Sequence, residues 1–330
     1  METLLLNKTE VGSLIDLDTV REVVEEGYRS FNRGHVVQPD YMHISQPGTD
    51  AEMDFKCGLD TAGGYMSIKC SSGRYRDNVK IGLPPGISTV LLFDANTSAV
   101  KCIMDGFWIT GCRTAAAGAI SVKYLARENA DRLCIIGAGK QARQQLRAIM
   151  RVRALAEVAV WSYREEEVRK FAEEMSQETG LNIRGYATAE EAVKTADIVV
   201  TTTVGRRGPV LKKEWLKPGT HIAAIGADLP DKQELPADIF KGAKIVNDSI
   251  GLCIKNGDTH HAIEENVISA DDIYGEIGEI ILGVKPGREN DEEITVFDTV
   301  GMAIQDNVTA AFLYKAALEK GLGVYYDFLK

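Results

Sequence analysis

The chain of 330 residues is 45% hydrophobic and 26% charged, and its 48 acidic against 38 basic side chains give a formal net charge of −10. That length accommodates two domains of ordinary size, and the composition is that of a globular chain, not a disordered or fibrous one. The acidity argues against a nucleic-acid partner, which needs a basic face to displace counterions from phosphate, and no run approaches the roughly 18 apolar residues of a membrane span.

The opening stretch METLLLNKTEVGSLIDLD has a short leucine run and early acids, without the basic and apolar blocks of a secretory signal. DLDTVREVVEEGYRSFNRG then has the apolar period of an amphipathic helix, and the runs VVQP, GGYMSIKC, NVKIGLPPGISTVLLFD and AVKCIMDG follow, broken by Gly and Pro. These read as an α+β region with an antiparallel sheet. The six cysteines, at 57, 70, 102, 112, 134 and 253, show no C-x-x-C spacing and read as reduced thiols, so a cytoplasmic location is expected.

From Asp131 the pattern changes to alternating strands and helices. RLCIIG precedes the helical QARQQLRAIMRV; VAVW precedes EEEVRKFAEEMSQETG; IRGYA, AEEAVKTA, DIVVTTT, KKEWLKPG, HIAAIG and KIVND continue the series. Strands that are apolar almost throughout and alternate with helices belong to a parallel sheet covered on both faces. The expected fold class is therefore α/β: a Rossmann-type doubly wound domain over 119–303, beside an α+β domain over 1–118. The helical period in GMAIQDNVTAAFLYKAALEKGLG predicts a last helix, and 304–330 is expected to return and complete the first domain. His260 and His261 stand in tandem, but no cysteine or acid lies at a metal-ligand spacing, and no metal site is expected.

The segment CIIGAGKQAR fits G-x-G-x-x-G/A through Gly137, Gly139 and Ala142, after a strand and before a helix. The first glycine permits the turn, the second lets backbone N–H groups approach a pyrophosphate, and the small third residue lets helix and strand pack closely. The helix N-terminus then presents its positive dipole end. A dinucleotide cofactor, NAD or NADP, is the expected ligand. At the end of the second strand, in VWSYREE, Ser162 stands where an acid would bind the ribose 2′-OH of NAD, with Arg164 two residues on. The reading leans slightly to NADP(H); the other account of Arg164 is an ion pair with Glu166 or Glu167.

GYMSIKC around Lys69, TGCRTAAAGAI around Arg113, IGADLPDKQELP around Asp228 and ITVFDTVGMAIQD near the C-terminus together resemble the ornithine cyclodeaminase/mu-crystallin family. The likeness runs through nearly the whole chain in the same order. The stretches QLRAIMRVRALAEVAVWSYREE, TTTV, HAIEEN and the segment from Gly278-Glu279 through ILGVKPGR look most like the branch labelled ectoine-utilisation cyclodeaminase-like. The resemblance implies NAD(P)-dependent chemistry on a small amino- or imino-acid substrate and a homodimer formed through the N-terminal domain. It implies that Lys69 and Arg113 are the substrate-carboxylate and catalytic cations, Lys69 acting in both roles, and that Asp228 is the acid/base group. Thr114, Lys140, Gln141, Thr203, Gly226, Lys232 and Thr299 are implied at the cofactor. From the residues alone Arg113 could also open a helix with a salt bridge, Lys69 could be a surface lysine, Asp228 could cap a turn, and Lys232 could equally be a surface lysine.

Two departures stand out. Where many members have Pro-x-Arg, this chain has Pro39-Asp40-Tyr41; Tyr41 donates one hydrogen bond and carries no charge at neutral pH, so another cation such as Arg74 or Arg76 is expected to help. Gly82-Leu83-Pro84-Pro85 replaces the GLPT of the cyclodeaminase. Both weaken the case for ornithine. The leading expectation is an imino-acid (ketimine) reductase, or the reverse amino-acid dehydrogenase. The alternatives are ammonia-releasing cyclisation of a diamino acid and a non-enzymatic mu-crystallin-like binding protein.

Overall fold

The computed structural model describes residues 2–74, 77–328 and 330. The chain divides into two compact units, a discontinuous one of Met1–Arg113 with Met302–Lys330 and a central one of Thr114–Gly301. The discontinuous unit begins with β1 (Glu2–Leu6), α1 (Lys8–Leu14), α2 (Leu17–Asn32), β2 (Val36–Val37), β3 (Met42–Ser45), β4 (Ala51–Asp60), β5 (Tyr65–Arg74), α3 (Asp77–Lys80), β6 (Gly86–Asp94), β7 (Val100–Asp105) and the first residues of α4 (Phe107–Leu125). Asn7 starts α1 through a capping box: its side chain accepts from the Thr9 and Glu10 amides while the Glu10 carboxylate accepts from the Asn7 amide. Residue 118, the expected end of the first domain, lies inside α4.

The central unit contains β8 (Arg132–Ile136), α5 (Lys140–Ile149), β9 (Glu157–Trp161), α6 (Glu165–Thr179), β10 (Ile183–Gly185), α7 (Ala189–Val193), β11 (Ile198–Thr201), β12 (His221–Ala224), β13 (Lys244–Asn247), α8 (Ile250–Cys253), α9 (Gly257–Glu264), β14 (Gly275–Glu276), α10 (Ile277–Ile281) and β15 (Thr295–Asp298). Its sheet runs in the order β10-β9-β8-β11-β12-β15-β13-β14, and every pairing is parallel. Alternate residues serve two cores. Leu133, Ile135, Val158, Val160, Ile198 and Val200 pack on one face; Cys134, Ile136, Ala159, Val199, Ile222 and Ala224 pack on the other. Because both faces are covered, the strands read as continuous apolar runs, and the doubly wound class follows. The chain winds outward from β8 to β10 and then crosses back to β11, so the order reverses between β8 and β11, the place where open parallel sheets bind ligands. KKEWLKPG forms only a 3₁₀ turn over Lys213–Trp215, consistent with the Pro218-Gly219 pair that ends it.

The chain then returns to the discontinuous unit as α11 (Ala303–Lys320) and β16 (Val324–Asp327). That unit's sheet is ordered β16-β1-β7-β6-β5-β4-β2, with β3 also on β4. It is antiparallel apart from β1 on β7, because the sequence METLLL supplies a strand that the antiparallel expectation did not include. α11 lies against α2, β4 and β5. None of the described helices is long and apolar enough to cross a membrane.

Candidate functional site

The glycine turn sits in the central unit between β8 and α5. Gly137 has φ of +114°, and a Cβ there would lie 2.7 Å from Thr202 Oγ1 and 2.8 Å from its carbonyl oxygen. Only glycine fits that backbone beside that neighbour. Gly139 is the N-cap of α5 and contributes no side-chain hydrogen bond to the first turn, so the N–H groups there are open to an anion. A Cβ built on Gly139 meets nothing within 4 Å. Ala142 is fully buried, as close packing of helix on sheet requires. The Gln141 side-chain nitrogen is buried without a hydrogen-bond partner. A cavity of 260 Å³ opens at this edge, with Gly139, Ser162, Arg164, Thr203 and Arg207 in its lining. A narrow turn, an uncapped helix start, an orphaned donor and guanidinium groups suit the pyrophosphate and ribose of a dinucleotide.

Ser162 directly follows β9, and Arg164 is paired with Glu167 at 2.7 Å, the ion-pair account of that residue. The sequence reading missed Arg206 and Arg207. Arg207 lies over the Tyr163 ring at 4.6 Å, and Arg206 is paired with Asp231 at 3.1 Å. Two consecutive arginines just beyond the TTTV stretch were the available signal.

The second group of residues lies in the discontinuous unit. Lys69 on β5 and Arg113 on α4 converge on Asp306 of α11: Lys69 Nζ is 2.7 Å from Oδ2, and Arg113 Nε donates to Oδ1 at 3.1 Å. Arg113 also donates to Gln305 Oε1, and the Gln305 amide donates to the Tyr28 hydroxyl. These groups are nearly sealed from solvent, Lys69 being 2% and Asp306 0% exposed. Burial, with the Arg113 charge next in effect, lowers Lys69 to about 7 despite Asp306. For Asp306 burial acts to raise the carboxyl, but Arg113 and Lys69 together hold it below the ordinary aspartate value.

Arg113 does not open a helix: α4 begins at Phe107, whose amide is accepted by Asp105, so the apolar turn FWITG precedes Arg113 and places it in the helix interior. Lys69 is not a surface lysine. Arg76 and the side chain of Arg74 lie outside the described residues. Among the described residues, Lys56 on β4 stands opposite Lys69 on β5; it is 8% exposed and its Nζ lies 5.1 Å from the ring of Tyr41. Asp306 and Lys56 were both missed; the acid in GMAIQD and a lysine inside an otherwise half-apolar strand were the signals.

Asp228 lies just past β12 in the central unit, where Lys232 Nζ donates to its Oδ1 at 2.6 Å. Thr203 and Gly226 stand at the ends of β11 and β12 and give their amides to Glu234. The Thr299 hydroxyl is directed inward to Asp248, which also accepts from the Gly301 amide. The Thr114 carbonyl accepts from Gln145; Lys140 opens α5. The tandem histidines serve the local fold, His260 bonding the Ile254 carbonyl and His261 the Lys232 carbonyl. Among the described residues no cluster of His, Cys, Asp or Glu could hold a metal ion.

Together, the fold and the glycine turn define a two-unit α/β protein with a dinucleotide cradle on its parallel sheet. The chain belongs to the ornithine cyclodeaminase/mu-crystallin family, whose model matches residues 1–321. An archaeal alanine dehydrogenase dimer with bound NAD is 39% identical, with a TM-score of 0.93 over 99% of this chain and 100% of that one. The Δ1-pyrroline-2-carboxylate reductase of Thermococcus litoralis, in complex with NADH and L-proline, is 35% identical, with a TM-score of 0.92 over 98% and 99%. The iminosuccinate reductase of Paracoccus denitrificans, in complex with NAD+, is 31% identical, with a TM-score of 0.93 over 99% and 100%.

Proposed function

We propose that this protein is an NAD(P)H-dependent imino-acid reductase, working in reverse as an amino-acid dehydrogenase, on a small α-imino or α-amino carboxylate. The observation that carries the reading is the buried Lys69–Asp306–Arg113 cluster in a chain that also has the dinucleotide turn; whole-length similarity to three such enzymes supports it. Gly137, Gly139, Lys140 and Gln141 would hold the pyrophosphate, with Ser162, Thr203 and Gly226 toward the ribose and nicotinamide. When bound, the coenzyme supplies or accepts the hydride.

The protein's own part is binding and proton transfer. Lys69 and Arg113 take the substrate carboxylate, the arginine as a planar fork and the lysine as a point charge. Lys56 and Tyr41 stand in for the absent Pro-x-Arg arginine. Asp228 moves a proton at the imino nitrogen, because an iminium carbon is a far better hydride acceptor than a neutral imine. Lys232 Nζ, hydrogen-bonded to Oδ1, keeps Asp228 oriented. Ser162 and the Arg207 guanidinium favour NADP(H), whereas the solved relatives hold NAD or NADH; the ratio of kcat/KM with the two coenzymes decides, and Ser162→Asp shifts that ratio toward NAD(H). A homodimer through the discontinuous unit is proposed on the exposed Met42 and Ile44 of β3 together with the dimeric relative.

The test is oxidation of NADH or NADPH, followed at 340 nm, with Δ1-pyrroline-2-carboxylate, iminosuccinate, and pyruvate plus ammonia. Stoichiometric consumption with any of them is expected, and Asp228→Asn should cut turnover by about a hundredfold or more while coenzyme binding survives. Ammonia release from ornithine with catalytic NAD and no net absorbance change would replace this reading with cyclodeamination. Ligand binding with unchanged turnover in Asp228→Asn would remove the proton-transfer role.

A further inference from the structure

Glu234 lies in the loop after β12 and yet is completely buried. Its two carboxylate oxygens have separate tasks. Oε1 accepts the amide of Thr203 at 2.5 Å and Oε2 accepts that of Gly226 at 2.8 Å. Thr203 follows β11 and Gly226 follows β12, neighbouring strands in the parallel sheet, so one side chain bridges two loops at the edge where such sheets take ligands. The three are packed without spare room: a Cβ on Gly226 would lie 2.5 Å from the Thr203 carbonyl oxygen and 2.6 Å from Glu234 Oε2. Glu234 is itself held from behind, because Asp258 Oδ1, at the start of α9, accepts the amides of both Glu234 and Leu235, at 2.7 and 2.8 Å.

Burying a carboxylate costs free energy that a loop carboxylate in water does not lose. Burial pushes both Glu234 and Asp258 upward, the neighbouring Asp298 adding to the effect on Asp258. A turn needing only closure could be made with a solvated polar residue; fixing the separation of two loops needs a two-oxygen acceptor between them.

We infer that Glu234 is a positioning residue for the coenzyme, its two oxygens setting the spacing of the Thr203 and Gly226 loops. This rests on the coenzyme reading above. It predicts an asymmetry between two chemically similar substitutions. Glu234→Gln leaves one acceptor oxygen and turns an NH2 group against a backbone N–H. Asp258→Asn keeps the single oxygen that already receives both amides. By titration of intrinsic fluorescence, Glu234→Gln should raise the Kd and the KM for NADH by about tenfold or more, with little change in KM for the imino acid. Asp258→Asn should bind NADH within about twofold of wild type.

Wild-type-like NADH affinity in folded Glu234→Gln, or a loss in Asp258→Asn as large as in Glu234→Gln, overturns the inference. Should Glu234→Gln not fold, hydrogen exchange on the wild-type protein without coenzyme takes its place. Slow exchange of the Thr203 and Gly226 amides supports the bridge, and exchange at the unprotected rate overturns it. A wild-type protein that binds neither NADH nor NADPH sinks the coenzyme reading itself, and this inference with it; that outcome is distinct from the variant binding as well as wild type.

Discussion

Lys69 is the group whose charge state is most finely set by its surroundings. Burial first, then Arg113, lower it to about 7, and Asp306 acts in the opposite direction. The groups acting on it are Asp306 from α11, Arg113 from α4 and Lys56 from β4. Below about pH 7 the ammonium is present and can hold a carboxylate; above it the charge is lost. Since kcat/KM reports the free enzyme, its value for the imino acid should fall as pH rises through about 7. Lys69→Arg should abolish that limb up to pH 9, the guanidinium staying charged throughout; a limb unchanged in Lys69→Arg would assign it to another group. Asp306 has the converse role. Replacing it with Asn leaves Lys69 and Arg113 buried without their counter-charge, a loss of about 3–5 kcal/mol by the usual cost of breaking a buried pair. Urea unfolding of Asp306→Asn measures this, and a loss under about 1 kcal/mol would show that the cations relax into water.

At the scale of the element, the turn between β8 and α5 separates fold from binding. Gly137→Ala places a methyl group on a left-handed residue against Thr202, so stability and coenzyme binding should fail together. Gly139 has extended backbone and free space around its missing Cβ. Gly139→Ala should therefore melt within about 1 kcal/mol of wild type while NADH affinity drops about tenfold or more, the methyl group standing where a pyrophosphate approaches. Equal affinity in Gly139→Ala would mean that the phosphates lie elsewhere. This turn was legible in the sequence because every constraint on it is local: a strand, glycines at fixed offsets and a helix. The parallel strands were legible for the same reason, each buried on both faces and so apolar throughout. Other features were not. Arg113 was read at a helix start because the alanine run after it is the stronger helical signal, whereas α4 already begins with aromatic residues held by Asp105. Asp306 owes its surroundings to Arg113, 193 positions earlier, and to Lys69, and no spacing rule reaches from residue 69 to 306. Strand β4 carries a clean period of two in AEMDFKCGLD, but the pattern misleads about burial, because Lys56, Gly58 and Asp60 on the polar face are the buried residues.

At the scale of the whole molecule, the buried titratable groups set how stability responds to acid. His221 on β12 is sealed between Ser121 and Thr295, its ring nitrogens 3.0 and 2.9 Å from their hydroxyls. Burial first, and then the charges of Arg288 and Arg153, lower it to about 3. Its ordinary value is about 6.5, so between roughly pH 6.5 and 3 the unfolded chain binds a proton at this site and the native chain does not. Native stability from this group is therefore complete above about pH 6.5 and declines as pH falls. Asp298 has the opposite sign: burial raises it to about 7, so the native state holds a proton that the unfolded chain has released, and stability falls as pH rises from about 4 to 7. Wild-type stability alone cannot isolate either group, because the two slopes oppose one another over the same window. The difference between wild type and His221→Gln can, since the acids are common to both proteins and cancel. The unfolding free energy of wild type minus that of His221→Gln should increase by about 1.4 kcal/mol for each pH unit between 4 and 6 and level off above 7. Urea unfolding at half-unit pH steps reads that difference directly, and a difference independent of pH would mean that His221 takes up its proton without unfolding the sheet around it.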